Sequence, residues 1–275
     1  MYSTAGNNHV VDATLFCTQD TSSAGYTFQN DSALRTLTQA GRIIVATLGT
    51  YNPTKTVYVN GVGEVRLEQG IEWVKTTGYF DLNVNNSGRT YLGGATNIVR
   101  VLRMNGGAGS ILDLSGTLVL TNGGSENLSS AYGGLLRGGS IVFSTGGYEN
   151  YSDNRVDDPA ATLVVESLVT GDSGFEVYYS QGVSGLFDFR CPTNNFKGHV
   201  IMNTPGGVVA SVINNQNSPG CLGAGTKIQF SAGNTTAGPI LRYTGAGEVN
   251  NRYLSFNANG RVEQAGSGVL TFTTK

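Results

Sequence analysis

The sequence predicts an all-β fold wound as a right-handed parallel β-helix, and three observations point there. They are a high glycine and turn-former content, a shortage of helix-surface residues, and short alternating apolar runs set close together. Forty of the 275 residues are Gly, about twice the usual share of ~7%. Charged residues make up 13%, about half the globular norm of ~25%. There are 29 Thr and 25 Asn against five Lys. Helix surfaces draw on Ala, Leu, Glu, Lys and Gln, whereas β-branched and turn-forming residues abound here. All-α and α/β architectures are therefore excluded. Six Pro and 39% hydrophobic residues argue equally against collagen, a Pro-rich linker or a disordered tail.

Along the chain, residues 1–95 show little repetition and are expected to form an N-terminal cap or irregular coils. Trp73, the sole tryptophan, reads there as core or cap. Residues 96–275 read as regular coils of one continuous domain. A Ser-Gly-x-apolar-x-apolar pattern recurs at Ser115–Leu120, Ser184–Phe189 and Ser267–Phe272, with a weaker form at Gly63–Leu67. Alternation puts one side of each run inward, and the glycine is expected to turn a corner at positive φ. Further strands are expected at Ile98–Met104, Ile111–Leu114, Ser140–Ser144, Thr162–Glu166, Glu176–Tyr179, Val200–Met202 and Val208–Val212. The last third adds Lys227–Phe230, Ile240–Tyr243, Tyr253–Phe256, Arg261–Gln264 and Val269–Thr273. Residues 146–160 break the rhythm and read as an inserted loop.

Two architectures give such spacing, the parallel β-helix and an antiparallel β-sandwich or barrel. Hairpins favour Asn-Gly or Asp-Gly turns, yet these are confined to Asn60-Gly61, Asn105-Gly106, Asn122-Gly123 and Asn259-Gly260. The motif copies lie 69 and 83 residues apart, room for about three coils of a little over 20 residues each. The helix is favoured and the sandwich is the alternative.

Charge narrows the partners. A formal charge of −2 and scattered arginines, Arg100 and Arg103 being the closest pair, give no electrostatic footprint for nucleic acid. No apolar run approaches the ~18 residues of a membrane span. The N-terminal run lacks a basic start followed by an apolar core, so no signal peptide is expected in this segment. Gly106-Gly107-Ala108-Gly109 is no phosphate loop, since no Lys-Ser/Thr follows.

The C-terminal 90 residues carry a resemblance. Asn194-Asn195-Phe196-Lys197-Gly198 is followed by Leu222-Gly223-Ala224-Gly225-Thr226, by Leu241-Arg242-Tyr243-Thr244-Gly245, and by Gly266-Ser267-Gly268-Val269-Leu270-Thr271-Phe272. This ordered series resembles the autotransporter-associated β-strand repeat of large bacterial surface proteins, clearest over residues 185–275. The resemblance implies a right-handed parallel β-helix, export, and display at or release from the cell surface. Nothing in the sequence supplies the membrane barrel of an autotransporter, so a segment of a longer chain is expected.

The candidate site residues are few. Tyr148, Tyr151, Asp153, Asp157 and Asp158 form the one concentration of acids and aromatics, which could bind a sugar, hold Ca²⁺ or supply a carboxylate pair for glycoside cleavage. The plainer reading is a solvated loop with Arg155 neutralising its neighbours. Asp113 and Asp188 read as outward members of alternating strands. Cys191 and Cys221 are candidates for a disulfide between coils. With one further cysteine and two histidines, no metal site or cofactor is expected. The functional expectation is a non-enzymatic stiff spacer or adhesin contacting a host or cell-surface glycan or protein, able to self-associate end to end. A carbohydrate-active β-helix enzyme or tailspike-like protein, and a carbohydrate-binding sandwich module, are the alternatives.

Overall fold

The computed structural model describes residues 2–3, 8–17, 25–45, 54–73, 79–121, 126–144, 151–178, 182, 184–231 and 237–274. Among these residues there is no helix, and every described strand pair is parallel. The antiparallel sandwich is thereby excluded and the chain is a β-solenoid. A first sheet of eleven strands and a second of thirteen run the length of the stack, with shorter sheets on the remaining side. Eleven strands spaced by ~4.8 Å make a stack about 48 Å tall.

Coil formation follows from stacking like on like. In the first sheet Val57 lies opposite Leu82, then Leu102, Leu128, Asn154, Val177, Met202, Phe230 and Phe256. In the second, Leu37, Val65, Thr90, Leu112, Leu136, Val165, Phe189, Ala210 and Tyr243 form the matching column. Both columns are buried up to the last coil. No coil can hide its apolar face alone, so each takes its stability from the neighbours above and below. Residues 25–30, 54–61 and 79–86 are strands of the same first sheet, although no repeat is legible there.

Several elements differ from the sequence reading. Ile98–Met104 splits into Thr96–Val99, paired to the second sheet, and Leu102–Met104, in the first, with Arg100 at the corner between them bound to Asp81. Part of the expected loop at 146–160 is a first-sheet strand, Tyr151–Val156, paired with Glu126–Ser130 and Gly174–Val177. Its inward residues include Val156 and Asn154, the latter fully buried and donating from Nδ2 to the Glu176 carbonyl at 3.2 Å. An inward asparagine breaks the apolar alternation by which such a strand is recognised.

The Ser-Gly motif also works otherwise than expected. Its copies occupy different sides, since Leu186–Phe189 belongs to the second sheet while Gly268–Phe272 pairs with Ala246–Asn250 in the two-stranded sheet. Gly116 and Gly185 are not at positive φ. A Cβ on Gly116 would lie 2.2 Å from the Gly94 carbonyl oxygen, and on Gly185 it would lie 2.4 Å from that of Ala161. The glycine is required by the close approach of the preceding coil.

Buried asparagines and serines carry the corners. Asn30 Nδ2 donates to the Arg35 and Glu64 carbonyls at 2.9 and 2.8 Å, and Asn86 Nδ2 to that of Gly63 at 2.8 Å. Ser130 Oγ serves the same corner through the Met104 carbonyl at 2.9 Å. At another corner Asn97 and Asn194 each accept a backbone N–H from the preceding coil at 2.7 Å. Backbone groups that a corner removes from the sheet ladder are thus satisfied in the interior. Only Asn214 and Asn217 among the described non-glycine residues take positive φ.

Candidate functional site: a corner groove crossing three coils

The two charged elements of the surface are spent on one another. On the outer side of the second sheet, Arg66 binds Glu64 and Glu68 at 2.9 and 2.5 Å and lies 4.2 Å over the Tyr91 ring. Arg89 and Arg137, from the coils on either side, both close on Asp113. Arg190 reaches Asp188 at 2.8 Å and Glu166 at 3.3 Å, and Arg242 and Arg261 share Glu263 at 2.9 and 2.6 Å. Burial alone would raise the Asp113 pKa, but hydrogen bonds from Arg137 and Arg89 outweigh it and hold the carboxyl below its usual range. Hydrogen bonds from Arg242, then Arg261, lower Glu263 likewise. Arg100 and Arg103, the closest basic pair in sequence, converge on the buried Asp81 at 2.7 and 2.9 Å.

Another charge is turned inward. Arg252 is fully buried and donates to the backbone carbonyls of Asn214 at 3.1 Å, Leu222 at 3.0 Å and Gly223. Burial pushes its pKa down to about 10, with the nearby Glu248 opposing the shift. Glu248 in turn accepts the backbone N–H groups of Ile213 and Asn214 at 2.8 and 3.2 Å. Residues 211–226, the connection between Gly207–Ala210 and Lys227–Phe230, are therefore clamped by the next coil.

Of the residues singled out from sequence, Tyr148 and the side chains of Tyr151 and Asp153 lie outside the described residues. Asp157 is held by Arg155 at 2.8 Å. Asp158 behaves differently, because its Oδ1 accepts the Ala160 N–H at 2.9 Å and so caps the turn at Pro159. Asp113 and Asp188 lie on the outer side, as alternation indicated. The candidate Cys191–Cys221 disulfide is not formed and both thiols are free. Cys221 is fully buried in the core, whereas Cys191 sits half-buried against Thr193 Oγ1 at 3.4 Å.

Asp158 opens onto a groove of about 570 Å³, lined also by Gly107, Ala108, Tyr132, Ala160, Ala161 and Thr162. The groove crosses the corner between first and second sheets over three successive coils. Its floor is fixed by backbone bonds between them, from Asp157 to Ser130 at 2.7 Å and from Asp158 to Ala131 at 3.1 Å. Tyr132 is 55% exposed, an aromatic left at the surface between Ala131 and Gly133. Sequence reasoning missed it. The signal was there, since a Tyr inside the turn Ser-Ser-Ala-Tyr-Gly-Gly has no inward position to fill.

Chemically the groove offers a ring face, one carboxylate and small walls. Asp158 is the single acid among its described lining residues, so no pair of carboxylates flanks a bond placed there. Among the described residues no three His, Cys, Asp or Glu side chains converge as metal ligands. No helix of the described residues is long and apolar enough to cross a membrane. No family profile, curated protein or solved structure matches the chain.

Proposed function

We propose that this chain is a non-enzymatic segment of a bacterial surface or secreted protein, serving as a stiff spacer or adhesin that presents its corner groove. The observation that carries the reading is the set of arginine–carboxylate pairs on the second sheet, which links neighbouring coils from outside at Arg89–Asp113–Arg137, Glu166–Arg190 and Arg242–Glu263, as the apolar columns do from within. Single surface ion pairs contribute little, roughly 0.2–1 kcal/mol. A network repeated along the stack resists shear between coils and leaves the face charged, mixed and unattractive to other sheets. The resemblance of residues 185–275 to the autotransporter-associated repeat supports export, and the parallel winding agrees with it.

Two measurements test the proposal. Surface labelling of intact cells that make the full-length protein is expected to reach this segment, and labelling only after lysis would refute display. Incubation with polysaccharides is expected to release no new reducing ends. Turnover lost in Asp158→Asn would instead favour the glycan-cleaving reading.

A further inference from the structure

We infer that the corner groove is a binding site for a neutral saccharide, with one sugar ring stacked on Tyr132 and its hydroxyls donating to Asp158. This rests on the adhesin reading and gives it a ligand class and an address. A large aromatic left 55% exposed beside small residues is what a flat pyranose face needs, because its C–H groups pack on the ring's negative face. Gly107 leaves the groove open beside the ring, since a Cβ built on it would meet nothing within 4 Å. The volume of about 570 Å³ falls within the usual ~300–1,000 Å³ of small-molecule sites.

Three features favour a sugar over other occupants. The backbone groups around the groove are already bonded, as in Ser110 to Gly107 at 3.0 Å, Ala161 to Asp158 at 3.0 Å and Leu186 to Ala161 at 3.0 Å. An extended peptide would find no open strand edge to join. The Asp158 carboxylate repels anions, and Arg155 is already committed to Asp157. Asp158 Oδ1 holds the Ala160 N–H, so the carboxylate is oriented before any ligand arrives and little ordering is needed on binding. The groove spans two coil spacings, about 10 Å, room for two pyranose rings end to end.

The test is calorimetric titration of the whole chain with cellotriose, maltotriose and chitotriose at millimolar concentration. At least one is expected to saturate a single site. Tyr132→Ala is expected to weaken it about tenfold, the worth of one aromatic contact. Tyr132→Phe should leave affinity unchanged, and Asp158→Asn, which keeps an acceptor for Ala160, should weaken it a few-fold. Failure of all three sugars to bind, or indifference to Tyr132→Ala, overturns the inference. So does a proline-rich peptide that binds in their place and depends on Tyr132. Shortened oligosaccharides in the titrated samples would count against the non-enzymatic reading while leaving the groove assignment standing.

Discussion

Two stretches of the stack solve the same packing problem with different side chains. From residue 57 to residue 136 the interior is aliphatic, with Val57, Val59, Leu82, Val84, Leu102, Leu112 and Leu136 all buried. From residue 143 to residue 230 it is phenylalanine-rich. Phe175 there meets Phe143, Phe187 and Phe189 at ring-centroid distances of 5.7, 5.0 and 4.9 Å, the latter two edge-on. The second-sheet column beside them carries Ala210 next to Phe189. Large rings from one wall fill what a small neighbour leaves. In the aromatic stretch three ring contacts converge on Phe175.

The largest effect that can break this contrast is truncation of the hub. Phe175→Ala is expected to cost about 4 kcal/mol and Leu82→Ala about 3 kcal/mol, read as separate shifts in denaturant midpoint. Equal losses, or a smaller one at Phe175, would remove the claim that aromatic packing is concentrated there.

The backbone gives a sharper comparison because both stretches share it. Gly116→Ala in the first and Gly185→Ala in the second would each drive a Cβ to within 2.4 Å of a carbonyl oxygen of the coil before. Both are expected to cost roughly 2–3 kcal/mol, the range of overpacking. Gly107→Ala, at φ +105° but with open space around its Cβ, should cost only about 1 kcal/mol from backbone strain. If Gly107 proves the costliest, conformation rather than coil approach governs these glycines.

Smaller still is the outer network. Asp113, gripped by Arg89 and Arg137, should lose about 1 kcal/mol on change to Asn, and Asp188, held among the described residues by one arginine, Arg190, about 0.3 kcal/mol. High salt should shrink both differences.

The least effect is in pH. Asp113 and Glu263 have folded pKa values below their ordinary ones, so their contribution is present above the unfolded pKa and lost as pH falls through the folded one. Stability should therefore decline below about pH 4, and Asp113→Asn should flatten that decline. A variant that keeps the full acid slope would show that other carboxylates set it.

Much of the fold was legible because stacking demands local regularity. Lys227–Phe230, Ile240–Tyr243, Tyr253–Phe256 and Arg261–Gln264 fall where alternation placed them. Tyr151–Val156 was illegible because its inward Asn154 looks like a surface residue until the Glu176 carbonyl is set beside it. The candidate site was half legible. Asp158 stood out as an acid in an unusual stretch, but Tyr132 lies 26 residues earlier and joins it only because one coil separates the two corners. Whether Cys191 and Cys221 pair was not legible, since sequence spacing says nothing of the direction in which each side chain leaves its strand.

The sequence by itself determined that the chain is all β, that its strands are short, and that its formal charge is only −2. Those properties reside in composition and in alternation over a few residues. The tertiary structure alone decided which coil faces which: the register aligning Val57 with Leu82 and Leu102, the carboxylate each arginine meets, and the corner shared by Tyr132 and Asp158. In a solenoid such contacts join residues one winding apart, and the length of a winding varies with every corner it turns.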